Sequence, residues 1–450
     1  MTKLKIQNFG PISEGYNENN GYIEICPVTV LIGNQATGKS TFAKLYSTFV
    51  WLEKALVRQD FFPEDLTIDV FKNTYLKYHS IQSYLHENTY IDYIGTAYKF
   101  EINNYTINVT KLNNSYVRPK ICYAPSERNL ISSIPNASKF SGLLRNLFTY
   151  LEDYDEARNY FSNREIPITS NHKYLYDPST QKTYIINNRD KTKIELNEAA
   201  SGIQSLVPIL IISQYYSKHQ IERYSAENQL LTIQEKKAVQ NDYNSLLATL
   251  GIAGISELIS AIKSDEDKGK HAFFGILALT GALGLGVAAN SVNKNSLTKE
   301  QETLLYEKET KARSIIESRF INIIEEPEQN LFPESQNKVL YDLLECNNVS
   351  EENQLIITTH SPYIISYLTL STKVKNMLDN GISSEKTDAI VPKAAATDGT
   401  NIKVYETHKD GTISLLESYK YLPSDNNQLN NAMIKANEDF SRLLEIEDEE

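Results

Sequence analysis

Cysteine is scarce in this chain. Cys26, Cys122 and Cys346 stand far apart in 450 residues, which excludes a disulfide scaffold and a cysteine-based zinc module. The seven histidines are scattered too, with no His-x-x-x-His pair. Positive charge is in deficit: 45 Lys and Arg stand against 57 Asp and Glu, a formal net charge of −12. A protein coating duplex DNA along its whole surface needs the opposite balance, because phosphate neutralisation drives that binding. Any nucleic-acid contact is therefore expected to use a local basic patch. The opening MTKLKIQNFG lacks the apolar core of a secretory signal, and no repeat or low-complexity tract occurs. These absences predict a reduced, cytoplasmic protein.

What is present is ordinary globular material, 41% hydrophobic and 23% charged. The length allows about three domain-sized units. Leu4 to Phe9 alternates as a half-buried strand should, Tyr22 to Ile25 reads as a second strand, and Val28-Thr29-Val30-Leu31-Ile32 as one buried on both faces. From Ser40 the pattern is helical. Tyr98 to Val109 and Tyr174 to Leu196 alternate and read as antiparallel hairpins, with a helix expected over Phe140 to Ala157. Strands return at Phe320 to Ile324, Leu355 to Thr358, Ile402 to Tyr405 and Thr412 to Leu415. A helix is expected near Asn430 to Leu444, before an acidic end.

Residues 218–315 differ in character. Helical spacing over Leu230 to Leu250 and Thr298 to Ser318 flanks an apolar stretch, Ala272 to Ala289, in which Thr280 is the one polar residue. Eighteen residues make a helix of about 27 Å, within reach of a bilayer span. A helical tip buried against another subunit or against the core reads the same way and is the preferred expectation; membrane insertion ranks below it, and a partner-binding surface last.

Gly33-Asn34-Gln35-Ala36-Thr37-Gly38-Lys39-Ser40 fits G-x-x-x-x-G-K-[ST] without exception, between a buried strand and a helix as its mechanism requires. The glycines let backbone N–H groups curl around phosphates, and the helix N-terminus adds its positive end. Lys39 is expected to reach the β- and γ-phosphates and Ser40 to hold Mg²⁺. Asn34, Gln35, Ala36, Thr37, Gly38 and Thr41 complete the expected ATP-binding set.

Phe320-Ile321-Asn322-Ile323-Ile324-Glu325-Glu326-Pro327 is a mostly apolar strand ending in two carboxylates. In a P-loop enzyme the first such acid holds Mg²⁺ and the next accepts a proton from the attacking water. Glu325 is assigned to the metal and Glu326 to the general base. Leu355-Ile356-Ile357-Thr358-Thr359-His360 is a second buried strand with a polar end, and His360 stands where a γ-phosphate sensor would emerge.

Together these residues resemble the ABC-type ATPases of the SMC-like and OLD-like branch, whose order is P-loop, signature, Walker B and switch histidine. The resemblance covers roughly residues 1–220 and 316–370. Ala200-Ser201-Gly202-Ile203-Gln204 stands in the place of the family's L-S-G-G-Q signature, departing at its first and fourth positions. The resemblance implies that Ser201 and Gly202 meet the γ-phosphate held by an opposite copy. Ile121 to Arg128 occupies the place of the Q-loop without a glutamine, and Arg128 is carried over as a nucleotide-site residue. The family more often has Asp where Glu325 stands. The spellings NFGPI, EEPEQNLFP and TTHSPYII are similar to the ATPase subunits of the PARIS (AriA) and Septu (PtuA) antiphage systems.

The fold class implied is α/β, a P-loop ABC-type ATPase head with a mixed sheet and an antiparallel β-subdomain. The head is expected over 1–217 and 316–450, with an inserted helical hairpin arm over 218–315. The implied function is a switch ATPase that uses ATP and Mg²⁺, forms a homo-oligomer of paired heads or a larger ring, and controls a separate effector. That effector would be a TOPRIM- or HNH-type nuclease, or a toxin, answering a phage-encoded trigger. Too few residues follow His360 for a TOPRIM domain in the same chain. An SMC- or RecF-like ATPase that clamps DNA for repair or maintenance is the alternative, and salt-sensitive DNA binding would distinguish it.

Overall fold

The computed structural model describes residues 2–133, 142–218 and 317–449. The apolar stretch Ala272–Ala289 lies outside them, as does the arm expected over 218–315 apart from Lys218. Glu317 and Ser318, at the end of the helical spacing expected from Thr298, are not helical. The chain divides into two compact units. One comprises Met1–Leu112, Ile121–Ser217 and Phe320–Glu450; the other comprises Asn113–Lys120 and Lys218–Arg319. Within the second unit the Ser318 N–H donates to the Arg118 carbonyl at 3.1 Å.

The first part of the chain supplies β1 (Lys3–Gln7), β2 (Gly15–Tyr16), β3 (Ile23–Glu24), β4 (Val28–Gly33), β5 (Tyr90–Ile94), β6 (Tyr98–Asn103), β7 (Thr106–Lys111) and β8 (Pro119–Ala124). The middle supplies β9 (Ile166–Pro167), β10 (His172–Asp177), β11 (Lys182–Asn187) and β12 (Lys193–Glu195). The last part supplies β13 (Arg319–Glu325), β14 (Gln354–Thr359), β15 (Ile402–Thr407) and β16 (Thr412–Leu415). The helices used below are α1 (Lys39–Arg58), α2 (Asn129–Ser133), α3 (Arg145–Tyr160), α4 (Ser201–Lys218), α5 (Pro333–Asn347), α6 (Pro362–Asp379) and α7 (Gln428–Glu449).

The central sheet is mixed, with order β2-β16-β15-β4-β14-β13-β8. Strands β15, β4, β14 and β13 run parallel, while β16 is antiparallel to β15. Every residue of β4 is buried, because a strand in the middle of a parallel sheet is covered on both faces. Val28, Val30, Leu31 and Ile32 are each 0% exposed, and such side chains stabilise by about 1.5–3 kcal/mol apiece.

A five-stranded antiparallel sheet, order β3-β1-β5-β6-β7, packs on the far side of α1, and β9 to β12 form a second antiparallel sheet. Helix α1 is therefore buried nearly all round. Phe49 stacks on Tyr93 at 5.2 Å and lies 5.7 Å from both Phe71 and Phe100. Glu53, also buried in this helix, accepts from the backbone N–H groups of Ala97 and Tyr98 at 2.6 and 3.1 Å, which anchors the β5–β6 turn to α1.

Most expected elements are present, and the shifts have local causes. The helix expected from Phe140 begins at Arg145, after Gly142 at φ +104°. A glycine in that left-handed conformation breaks the helical path. The segment Tyr174 to Leu196 holds three strands rather than one hairpin. Strand β8 was not expected: it opens on proline and carries no alternating pattern, and it takes the sheet edge next to β13.

Candidate active site

Strand register gathers the site. Thr407 of β15 pairs with Gly33 of β4, Ile32 with Thr359 of β14, and Thr358 with Glu325 of β13. The C-terminal ends of four parallel strands therefore finish level, which is where open α/β sheets present groups to ligands.

Gly33, at φ +145°, and Gly38, at φ +101°, bracket the loop between β4 and α1. A side chain on Gly38 would stand 2.6 Å from the Ile12 side chain. Asn34, Gln35 and Ala36 form an exposed crest, whereas Thr37, Gly38, Lys39 and Thr41 are buried. The Lys39 ammonium donates to the carbonyls of Gly33 and Asn34 at 3.0 and 2.7 Å. Burial pushes its pKa down to about 8, against the pull of Glu326, Glu328 and Glu325. The Thr37 hydroxyl bonds to that of Thr407 at 2.6 Å, tying the loop to β15.

Glu325 is buried and accepts from the Tyr123 hydroxyl. Burial raises its pKa, against hydrogen bonds from Tyr123 and Ser40 and the charge of Lys44. Ser40 and Glu325, both expected to serve the metal, are thus neighbours. A hydroxyl beside one carboxylate and a phosphate loop is an oxygen donor set of the kind Mg²⁺ takes. Among the described residues, no group of three or more His, Cys, Asp or Glu could hold a metal ion by itself.

Glu326 adopts φ +46°, a left-handed conformation uncommon outside glycine, asparagine and aspartate. Its N–H donates to Thr358 at 2.8 Å, and its carboxylate reaches His360, Oε1 to Nε2 at 3.7 Å. Both side chains are about one-third exposed, so the pair opens to solvent. Burial lowers the His360 pKa, helped by Lys39 and opposed by Glu326 and by a hydrogen bond to the Gly33 backbone. The imidazole thus stands between the carboxylate and the phosphate loop.

Arg128 is 0% exposed and stands behind the acidic pair. Its guanidinium donates to the main-chain carbonyls of Glu325 and Glu326, each at 2.6 Å, and of Pro125 and Ser205 at 3.2 and 3.3 Å. Among its described hydrogen bonds, all four end on backbone, so the residue expected at the nucleotide braces the turn that carries Glu326.

The segment expected as the signature, Ala200 to Gln204, runs into the start of α4. Ser201 is exposed, and a side chain on Gly202 would stand 2.6 Å from the Asn330 carbonyl, so the turn after Pro327 crosses close over this glycine. Pro208 lies inside α4 and denies the Gln204 carbonyl its helical donor. Ser132 of α2 supplies the replacement at 2.7 Å. Helix α2 and Arg128 therefore join α4 to the acidic turn.

Residues 302–365 match the family model described as AAA ATPase domain. The match takes in β13, Glu325, Glu326, β14 and His360; the phosphate loop lies outside it. This segment is thus similar to an ATPase domain, whose nucleotide is ATP. No curated protein matches the chain. Solved structures similar to it include an SMC head bound to the C-winged helix domain of ScpA, with 7% identity over 92% of this chain and 96% of that one, at a TM-score of 0.36. The SMC head domain from Thermotoga maritima gives 10% identity over 93% and 98%, TM-score 0.31. An SMC head with an extended coiled coil, bound to the C-terminal domain of ScpA from Pyrococcus furiosus, gives 10% over 97% and 99%, TM-score 0.26. Among the described residues, no helix is long and apolar enough to cross a membrane.

Three site residues had not been expected. Glu328 accepts from the Thr359 hydroxyl at 2.7 Å and from the His360 N–H at 2.8 Å, clipping the end of β14 to the acidic turn. Tyr123 orients Glu325, and Thr407 holds Thr37. Glu328 was legible in principle, as the third acid of Glu-Glu-Pro-Glu; Thr407 carries no local signal.

Proposed function

We propose that this chain is an ABC-type ATPase that closes with a second copy, head to tail, around ATP and Mg²⁺. Hydrolysis then switches a separate effector, a nuclease or toxin, in antiphage defence. The observation that carries the catalytic part is the convergence of Lys39, Ser40, Glu325, Glu326 and His360 at strand ends that finish in register. Lys39 and the loop amides hold the triphosphate. Ser40 and Glu325 would hold Mg²⁺, which when bound neutralises phosphate charge. Glu326 takes a proton from water directed at the γ-phosphate, and His360 keeps that carboxylate and the phosphate loop in contact.

Exposed Ser201 at the start of α4, on a glycine-bearing turn, supports its role as the group offered to another copy's nucleotide. The test is complementation. Glu326→Gln and Ser201→Arg should each abolish turnover. A mixed pair should recover part of it, because one of its two sites then joins an intact Glu326 to an intact Ser201. Recovery nowhere above either variant alone would refute the composite site. Salt-sensitive, micromolar DNA binding would instead favour a DNA-clamping ATPase. The defence role predicts that Glu326→Gln abolishes phage protection in cells carrying the chain with its neighbouring genes; unchanged protection overturns it.

A further inference from the structure

Helix α7 leaves the head beside the phosphate loop. Asn427 caps it through the N–H groups of Leu429 and Asn430, at 3.1 and 3.0 Å. The Gln428 N–H donates to Glu406 at 2.8 Å, and its amide bonds to His408 at 2.6 Å, both within two residues of Thr407. Leu429 packs on the hydrophobic core. Beyond this anchored first turn, every residue from 431 to 448 is exposed.

That exposed length is not uniformly polar. Met433, Ala436, Phe440 and Leu443 follow one another at spacings of three, four and three, the pattern of a coiled-coil seam. Met433 is 59% exposed, Phe440 61% and Leu443 63%. Leu444 and Ile446 widen the stripe. Ala432, Asn437, Asp439, Leu444 and Ile446 flank the seam, so one flanking residue in five is charged. That one, Asp439, is ion-paired with Arg442 on its own helix at 3.8 Å. Glu438, Glu445 and Asp448 turn to the outer face together with Lys435 and Arg442.

We infer that this stripe is a self-association surface, on which α7 of one chain pairs antiparallel with α7 of a second copy. The charge placement selects the occupant. A membrane surface calls for Lys and Arg on the polar face, and this face is acidic. A foreign partner would have almost no flanking charge to read. A second copy, though acidic itself, meets little repulsion, because Glu438, Glu445 and Asp448 point away from the seam and Asp439 is ion-paired with Arg442 of its own helix.

Side-chain volume and the helix dipole select the direction. Antiparallel pairing sets small Ala436 against large Phe440 of the second copy, and Met433 against its Leu443. It also brings Glu447 to the first turn of the opposite helix, the positive end of its dipole. Parallel pairing would set Ala436 on Ala436, leaving a void, and Glu447 on Glu447. This contact is separate from the nucleotide-driven pairing proposed above and does not rest on it.

The test is therefore run on the full chain without nucleotide. Sedimentation velocity at micromolar concentration should give two chains for the wild type and one for Phe440→Glu/Leu443→Glu. Both substitutions lie on exposed positions, and the double variant should keep its melting temperature and its ATP turnover. Asn437→Cys, close to the two-fold axis, should form a disulfide-linked dimer under mild oxidation, whereas Glu438→Cys on the outer face should not. The three native cysteines are buried and stay out of the reaction. A monomeric wild type, or a dimer untouched by the double variant, overturns the self-association surface. A dimer that the double variant breaks but Asn437→Cys fails to cross-link overturns the antiparallel arrangement.

Discussion

The Arg128 guanidinium donates to the main-chain carbonyl of Glu326 at 2.6 Å. A fully buried cation thus holds the one acidic residue of the site whose backbone is left-handed. Such a conformation costs of order 1–3 kcal/mol and persists only where its surroundings over-determine it. The same guanidinium reaches the Ser205 carbonyl in α4, so the backbone of Glu326 and that of α4 are held by one side chain.

Arg128→Met should therefore act on turnover more than on binding. It removes the charge-assisted donors to the Glu325 and Glu326 carbonyls, and a lost hydrogen bond to a charged group is worth about 1.5–3 kcal/mol. Thermal denaturation should show a clear loss of stability. Isothermal titration should show affinity for a slowly hydrolysed ATP analogue changed little beside the fall in kcat. Arg128→Lys, which keeps charge but cannot span both carbonyls, should recover stability in part and turnover less. Loss of nucleotide binding in step with turnover would place Arg128 at the nucleotide after all.

Glu326→Gln removes the carboxylate proposed as proton acceptor and leaves Lys39, Ser40 and Glu325 in place. Turnover should fall by about 10²- to 10⁴-fold, the range general-base catalysis contributes. Binding of ATP should persist, and single-turnover kinetics will separate the two. Near-normal hydrolysis would remove Glu326 from the mechanism.

Lys39 gives the site a pH dependence. Burial brings its pKa down to about 8, whereas a bound triphosphate favours the charged form and draws the pKa back up. Binding then takes up a proton above pH 8. Affinity for ATP should be steady below that value and weaken above it, by up to about tenfold per pH unit. The sign for folding is the reverse. Between about pH 8 and the ordinary lysine value the unfolded chain binds the extra proton, so this group makes stability rise with pH. Analogue titrations across that range decide the matter, and affinity that does not fall above pH 8 contradicts the role of Lys39.

Glu328 is a positioning residue. Glu328→Gln retains an oxygen to accept from Thr359 and His360, so it should keep most activity. Glu328→Ala leaves both donors unpartnered and frees the end of β14. Its kcat should fall further than its stability accounts for, with a pH profile displaced as His360 moves relative to Glu326. Equal effects of glutamine and alanine would make the carboxyl group's charge, and not its grip on β14, the relevant property.

Amino-acid order alone determined the local parts. Val28 to Ile32 is apolar but for Thr29 and has to be covered on both faces. Gly33 and Gly38 supply a left-handed backbone where the phosphate loop turns, and Phe320 to Ile324 is a buried strand ending in acids. Such features depend on neighbours a few residues apart, and a sequence displays those directly. Tertiary structure decided what each part meets. Nothing along the chain states that Thr407 holds Thr37, 370 residues away, or that Tyr123 orients Glu325. Arg128 shows the limit most plainly: the sequence placed it near the site, but only the fold turned its guanidinium onto backbone carbonyls. Sheet order and strand register fix such contacts, because they bring distant strand ends level and bury what lies between them. The helix near Asn430 to Leu444 was legible in the sequence, and only the packing of the head revealed that nothing in the described part of the chain covers its apolar stripe.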